Sequence, residues 1–175
     1  MRIVLNGGHM PGMDPGACGT YSTEAEICRK VMESSARLLR DMGNEVLTVQ
    51  SDELEAIAGA ADGFGADIFI SIHCNGAVTQ AAKGTEVYAM SEEGYELGLC
   101  IDRAIVDYLG TADRGVKDGS RLYVVNQTEA TAVLVELAFI TNPDDELLLN
   151  ERTDDFASAL AAGIMQYIVR TSSQS

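Results

Sequence analysis

The chain alternates short, almost purely apolar runs with longer stretches whose apolar positions recur every three or four residues. The first kind comprises "RIVLN" at 2–6, "EVLTV" at 45–49, "DIFISIH" at 67–73, "GTEVYAM" at 84–90, "RLYVVN" at 121–126 and "TAVLVELAF" at 131–139. Each predicts a strand. Between them the period changes. In 23–43, Ile27, Val31, Ser34 with Ser35, Leu38 and Met42 fall at helical spacing, and Gly43 supplies the stop. Further helices are predicted near 53–62, over 92–109, from Asn142 onward and over 153–169. At the third of these, Asn142 offers a cap, Pro143 suits the first helical position, and Asp144 and Asp145 fall in the first turn, where the helix dipole favours them. Residues 7–22 are rich in glycine and proline and predict a loop.

Strands alternating with amphipathic helices imply an α/β fold. The expectation is a single domain over residues 1–170, with a twisted, mostly parallel (mixed) sheet of about six strands flanked by helices on both faces. A polar tail follows at 171–175. A length of 175 residues suffices for one sizeable core. No apolar run approaches the ~20 residues of a membrane span. The opening "MRIVLNGGHM" turns polar too early for a signal peptide and reads as the first strand. The expectation is therefore synthesis in the cytoplasm, with any action outside it following lysis or release without a signal.

Charge narrows the choice of partners. Twelve basic residues stand against 27 acidic ones, a formal net charge of −15. Such a surface argues against nucleic acid, whose binding rests on Lys and Arg neutralising phosphates. It argues equally against attraction to anionic membranes or anionic wall polymers, and it suits solubility. The cysteines, Cys18, Cys28, Cys74 and Cys100, show no CxxC spacing and are expected as free thiols. Cys18 and Cys74 lie close enough in sequence to the groups discussed next that a thiolate metal ligand stays open.

The chain has two histidines, and both fall at strand ends. His9 follows the first strand inside "LNGGHMPGMDPGACG"; His73 ends the third. Open α/β sheets collect their ligands beyond the C-terminal ends of strands, and imidazoles on a rigid sheet suit zinc. Two histidines leave the site incomplete, so a carboxylate or thiolate should join them. Glu24 and Glu26 open the helix after the loop, and Glu24, coming first, is preferred. Asp14 is a rival, although "MDPG" also suits an Asx turn. Glu136 interrupts the apolar run of a central strand. An ionised carboxylate is costly there unless it meets a cation, a metal or several donors. A general base beside a metal site, a structural ion pair and an exposed strand end all remain open for it.

The stretches "GGHMPGMDPGACG" with Glu24 after it, "DIFISIHCNGA", "KGTEVYA", "DRGVK" and "AVLVELAFITNPDDELLL" run in order from about residue 3 to residue 149. In them the chain resembles the zinc-dependent N-acetylmuramoyl-L-alanine amidases of the amidase-3 type, which cut bacterial peptidoglycan. The resemblance implies that His9, Glu24 and His73 hold one Zn2+ per chain and that Glu136 is the catalytic glutamate. It implies further that Asn75 lies at the rim of the substrate groove and that peptidoglycan, a muramyl peptide, is the substrate. The implied mechanism is attack of a zinc-activated water on the amide between the muramic acid lactyl group and L-alanine, with Glu136 as general base and then acid. Another zinc peptidase of carboxypeptidase type and a non-catalytic wall-binding module of the same fold are the alternatives. The chain departs from the family at its loops: the usual "GHGG" is here His9-Met10-Pro11-Gly12, the link from that loop to Glu24 is about a residue short, and the stretch before the third strand is brief and lacks an arginine frequent in the family.

Overall fold

Strand β1 (Arg2–Gly7) is buried from Ile3 onward, and β3 (Ile68–Asn75) beside it is buried over its first five residues. Such two-sided burial requires cover on both faces. The computed structural model describes residues 1–173. Its other strands are β2 (Glu45–Val49), β4 (Thr85–Ala89), β5 (Asp113–Asp118) and β6 (Thr131–Phe139). The helices are α1 (Glu24–Asp41), α2 (Leu54–Phe64), α3 (Glu92–Leu109), α4 (Tyr123–Asn126), α5 (Pro143–Glu151) and α6 (Thr153–Ser172). The strands form one sheet in the order β2-β1-β3-β6-β4-β5.

All neighbours are parallel except β4 and β6. The single antiparallel pairing brings the N-terminal ends of β4 and β5 to the rim where β1, β3 and β6 finish. Groups from five strands can therefore meet along one edge.

Strand alternation divides the residues between two unequal faces. Ile3, Leu5, Ile70, Ile72, Val133, Val135 and Val87 join the main core with α1, α3 and α6. Val4, Phe69, Ala132 and Leu134 face the other way, against Ile57 and Ala61 of α2 and Val124 and Val125 of α4. That second cover is thin, because α2 has 11 residues and α4 only 4. On the same face, nearer the rim, the alternation turns polar: Asn6, Ser71, His73, Glu136 and Glu86. Ser71 donates to Asn6 Oδ1 at 2.7 Å, which satisfies a buried polar pair beneath the open rim.

Residues 121–126 correct the sequence reading. "RLYVVN" has the β-branched and aromatic make-up of a strand, yet it folds as the single turn α4. Asp118 accepts from the Ser120 N–H and hydroxyl and so fixes a turn ahead of it. One helical turn then lays Val124 and Val125 side by side on the sheet, and packing overrides propensity. The sixth strand is instead "DRGVKD", β5, whose charges and glycine suit a short edge strand. Helix α6 continues to Ser172, into the segment read as a polar tail; residues 174 and 175 lie outside the described residues.

Candidate metal centre

The loop after β1 carries His9 over the end of β3. Gly8 N–H bonds to the Ile72 carbonyl, so the chain leaves β1 still tied to the sheet. A Cβ on Gly8 would sit 2.5 Å from the His73 ring, and one on Gly16 would sit 2.5 Å from both Glu24 and the His9 ring. Only glycine lets the backbone pass there. His9 itself is the one described non-glycine residue with positive φ, at 56°. That conformation is costly for an ordinary residue and is typical of a constrained site. The Met10-Pro11-Gly12 departure closes as a tight turn: Met10 N–H bonds to the Asp14 carbonyl and Asp14 N–H to the Met10 carbonyl. The turn delivers Asp14 to His9 Nδ1 at 2.7 Å.

His9, Glu24 and His73 offer ligand atoms that lie within 4.8 Å of one another. Glu24 stands between the rings, 3.3 Å from His9 Nε2 and 2.9 Å from His73 Nδ1. It is buried, and the Ala17 and Cys74 N–H groups donate to its two oxygens. Burial pushes its pKa up, but the His73 hydrogen bond and charge and the two backbone donors outweigh that and hold it low. Asp14 lies on the far side of the His9 ring. It also accepts from Gly16 N–H as an Asx turn, and that hydrogen bond, then His9, lowers its pKa. Its position behind the ring orients the His9 imidazole and leaves Asp14 outside the cluster of three. Glu26 is exposed. The four cysteines are free thiols; Cys74 packs into the main core on the opposite face, and Cys18 is exposed.

Glu136 is the direct neighbour of His73 across β3 and β6. Its Oε2 is sealed from solvent without a hydrogen-bond partner. Burial, then the charges of Glu24 and Glu86, push its pKa up to about 8. Across the antiparallel pairing stands Glu86, which sequence reasoning did not single out. Glu86 is buried, bound by Lys117, by Arg114 at 2.5 Å and by the Tyr88 hydroxyl at 2.7 Å. Burial pushes Glu86 up, but these donors prevail and hold it at about 2. Asn75, at the end of β3, donates to Glu86 Oε1 at 2.7 Å. An available signal was the same as for Glu136: a lone carboxylate inside the apolar alternation "TEVYA".

Beside the histidines the rim opens into a cavity of about 330 Å³ between α2 and α4, with Leu54, Ile57, Leu122, Val124 and Leu134 in its walls. Across the mouth of the glycine loop, Glu146 of α5 accepts from the N–H groups of Thr20, Tyr21 and Ser22 and from the Ser22 hydroxyl. A buried carboxylate with four donors is a strong latch, and it fixes the end of the loop that leads into Glu24.

A family model described as N-acetylmuramoyl-L-alanine amidase matches residues 3–166. Protein YqiI of Bacillus subtilis (strain 168), itself uncharacterized, is 35% identical over 175 residues, covering 94% of this chain and 84% of its own. The N-acetylmuramoyl-L-alanine amidase LytC of the same strain is 30% identical over 94% of this chain, which spans 35% of LytC. Among solved structures, the amidase AmiC2 of Nostoc punctiforme superposes with a TM-score of 0.91 at 27% identity, over 97% of this chain and 98% of its own. Among the described residues no helix is long and apolar enough to cross a membrane. The mixed sheet, the ligand cluster at its rim and the match along nearly the whole length agree: this chain belongs to the amidase-3 family of N-acetylmuramoyl-L-alanine amidases.

Proposed function

We propose that the protein is a zinc-dependent hydrolase that cuts the amide between the muramic acid lactyl group and L-alanine in peptidoglycan. The carrying observation is the partnerless, buried Oε2 of Glu136 next to a cluster of two imidazoles and a carboxylate. The donor set fits zinc, which takes three protein ligands of this kind and leaves one position open. His9, Glu24 and His73 would hold the ion. Bound there, zinc supplies Lewis acidity, lowering the pKa of a water to roughly 7 and polarising the substrate carbonyl.

The rest is the work of the chain. Asp14 accepts from His9 Nδ1 and so leaves Nε2 facing Glu24 with its lone pair free. The Ala17 and Cys74 N–H groups hold Glu24 in place. Glu136 takes the proton of the attacking water and returns it to the departing alanine nitrogen. Its burial makes it a stronger base than an exposed carboxylate, and its neighbour Glu86 stays ionised and paired throughout. The cavity between α2 and α4, with Leu54, Ile57, Leu122, Val124 and Leu134 in its walls, offers room beside the histidines for an apolar part of the substrate.

The test combines product analysis with metal content. Wild type should release free L-alanine amino termini from purified cell walls and carry one zinc per chain. His73→Ala should lose the zinc. Release of new C-termini instead would favour a carboxypeptidase, and a metal-free wild type that still digests walls would overturn the zinc assignment.

A further inference from the structure

Gln50 stands where no step of the proposed hydrolysis calls on it. It follows β2 directly, and β2 runs parallel to β1 with Val49 beside Asn6, so Gln50 emerges at the same rim as the metal centre. The Asn6 amide donates to the Val49 carbonyl at 3.2 Å and ties the end of β2 to β1. The Gln50 side chain then enters the gap between β1 and α1. That gap is narrow: a Cβ on Gly7 would sit 3.2 Å from Gln50 Nε2 and 3.5 Å from the Cys28 backbone. Within it, Nε2 donates to the Ala25 carbonyl at 3.0 Å and to the Gly8 carbonyl at 3.4 Å, and Oε1 accepts from Arg29 Nε at 2.8 Å. The three contacts admit one orientation of the amide. Flipped, its oxygen would face two carbonyls and its nitrogen a guanidinium. Ala25 and Arg29 are four residues apart on α1, so one face of the helix supplies both an acceptor and the group that aims the donor.

We infer that Gln50 is a positioning residue of the metal centre, fastening the backbone that carries His9 to the backbone that carries Glu24. Gly8 precedes His9 and Ala25 follows Glu24, so one amide bonds the chain next to two of the three ligands. It thereby sets the bite between His9 Nε2 and Glu24, which stand 3.3 Å apart. Arg29 acts through it. The inference rests on the metal reading given above. A tie with a folding role alone could meet α1 anywhere along its 18 residues, whereas this one falls on the first turn. The loop also needs a fastener there, because His9 holds φ at 56°, a conformation that its surroundings must impose. Asp14 orients the His9 ring from outside, and Gln50 holds the backbone from within.

Chelator competition for zinc, and the visible spectrum of the cobalt-substituted protein, test this without using turnover. Gln50→Leu should weaken zinc binding about tenfold, as loss of an outer partner of a ligand does. It should also shift the cobalt bands, which report coordination geometry. Arg29→Met should weaken binding about twofold to threefold, the size of one modest hydrogen bond. The double variant should bind no more weakly than Gln50→Leu, since Arg29 reaches the site only through the amide. Asn44→Leu is the control for folding: the Asn44 amide also donates to an α1 carbonyl, that of Leu39 at 3.0 Å, but at the other end of the helix. It should lower the melting temperature while leaving zinc affinity and the cobalt bands as in wild type. Wild-type affinity and cobalt bands in Gln50→Leu, or an equal loss of zinc in Asn44→Leu, would overturn the role of Gln50 and leave the metal reading intact. Arg29 is exposed, so Arg29→Met decides alone if Gln50→Leu fails to fold: undiminished zinc affinity there overturns the tie. A wild type that takes up neither zinc nor cobalt would end both readings.

Discussion

Glu136 and Glu86 face each other across β6 and β4, on one face of one sheet, yet their surroundings drive them in opposite directions. Around Glu86, two cations and a phenol hold the charge and bring its pKa to about 2. Around Glu136 there is no donor to Oε2, and burial with two neighbouring carboxylates raises it to about 8. Desolvation pushes both upward; the partners decide the sign. One carboxylate is thereby fixed as an anion that organises side chains, and the other is left without a donor to hold its charge.

Substituting Gln at each position separates the two environments most sharply. Glu136→Gln should lower kcat by about 10²–10⁴ and keep its zinc, since only the proton carrier is lost; metal content and release of alanine amino termini check it. Its folding stability should hold or rise, because a buried carboxylate without a donor gives way to a neutral amide. Glu86→Gln should do the reverse. It leaves Arg114 and Lys117 without their anion and costs about 1–3 kcal/mol in denaturant unfolding. A Glu136→Gln protein that turns over like wild type would remove the contrast.

Asp14→Ala probes the loop that serves the Glu136 side. It should weaken zinc binding about 10- to 100-fold in chelator competition, since His9 loses the partner that fixes its tautomer. A smaller effect concerns pH. Glu86 is lowered from 4.5 to about 2, so its contribution to stability is complete above pH 4.5 and is lost as pH falls toward 2. Acid unfolding followed by circular dichroism should show this loss in wild type and not in Glu86→Gln. A second pH effect, of opposite sign, lies at Asp102 of α3, another buried carboxylate with an unpartnered oxygen. Burial, then Asp113, raises it from 3.8 to about 7. The folded state therefore holds the proton longer, and stability declines as pH rises from 4 to 7. Asp102→Asn should flatten that decline in thermal melts.

Much of this molecule could be read along the chain. The apolar runs at 2–6, 45–49, 67–73, 84–90 and 131–139 lie on five of the six strands, because both-face burial demands near-continuous apolar sequence. The runs failed at the edge. β5 is charged for the reason edge strands are charged, and that disguised it. "RLYVVN" showed strand residues that a single helical turn packs as well. At the site, the two histidines and Glu24 come together in space, and Glu136 lies beside them. Asp14 was weighed as a ligand, while its place behind His9 depends on a turn that spacing does not reveal. Glu86, Arg114 and Lys117 drew no notice as a group, because their chemistry exists only once an antiparallel strand brings Glu86 to the same rim.

The Glu146 latch ties the first and last thirds of the chain, with partners up to 126 positions apart. During synthesis from the N-terminus, the glycine loop leaves the ribosome long before its fastening does. His9 and Glu24 thus wait on more than a hundred further residues for their final geometry. Maturation of the site is in this way coupled to synthesis of α5, and a product terminated before Glu146 would lack the clasp that holds the loop shut.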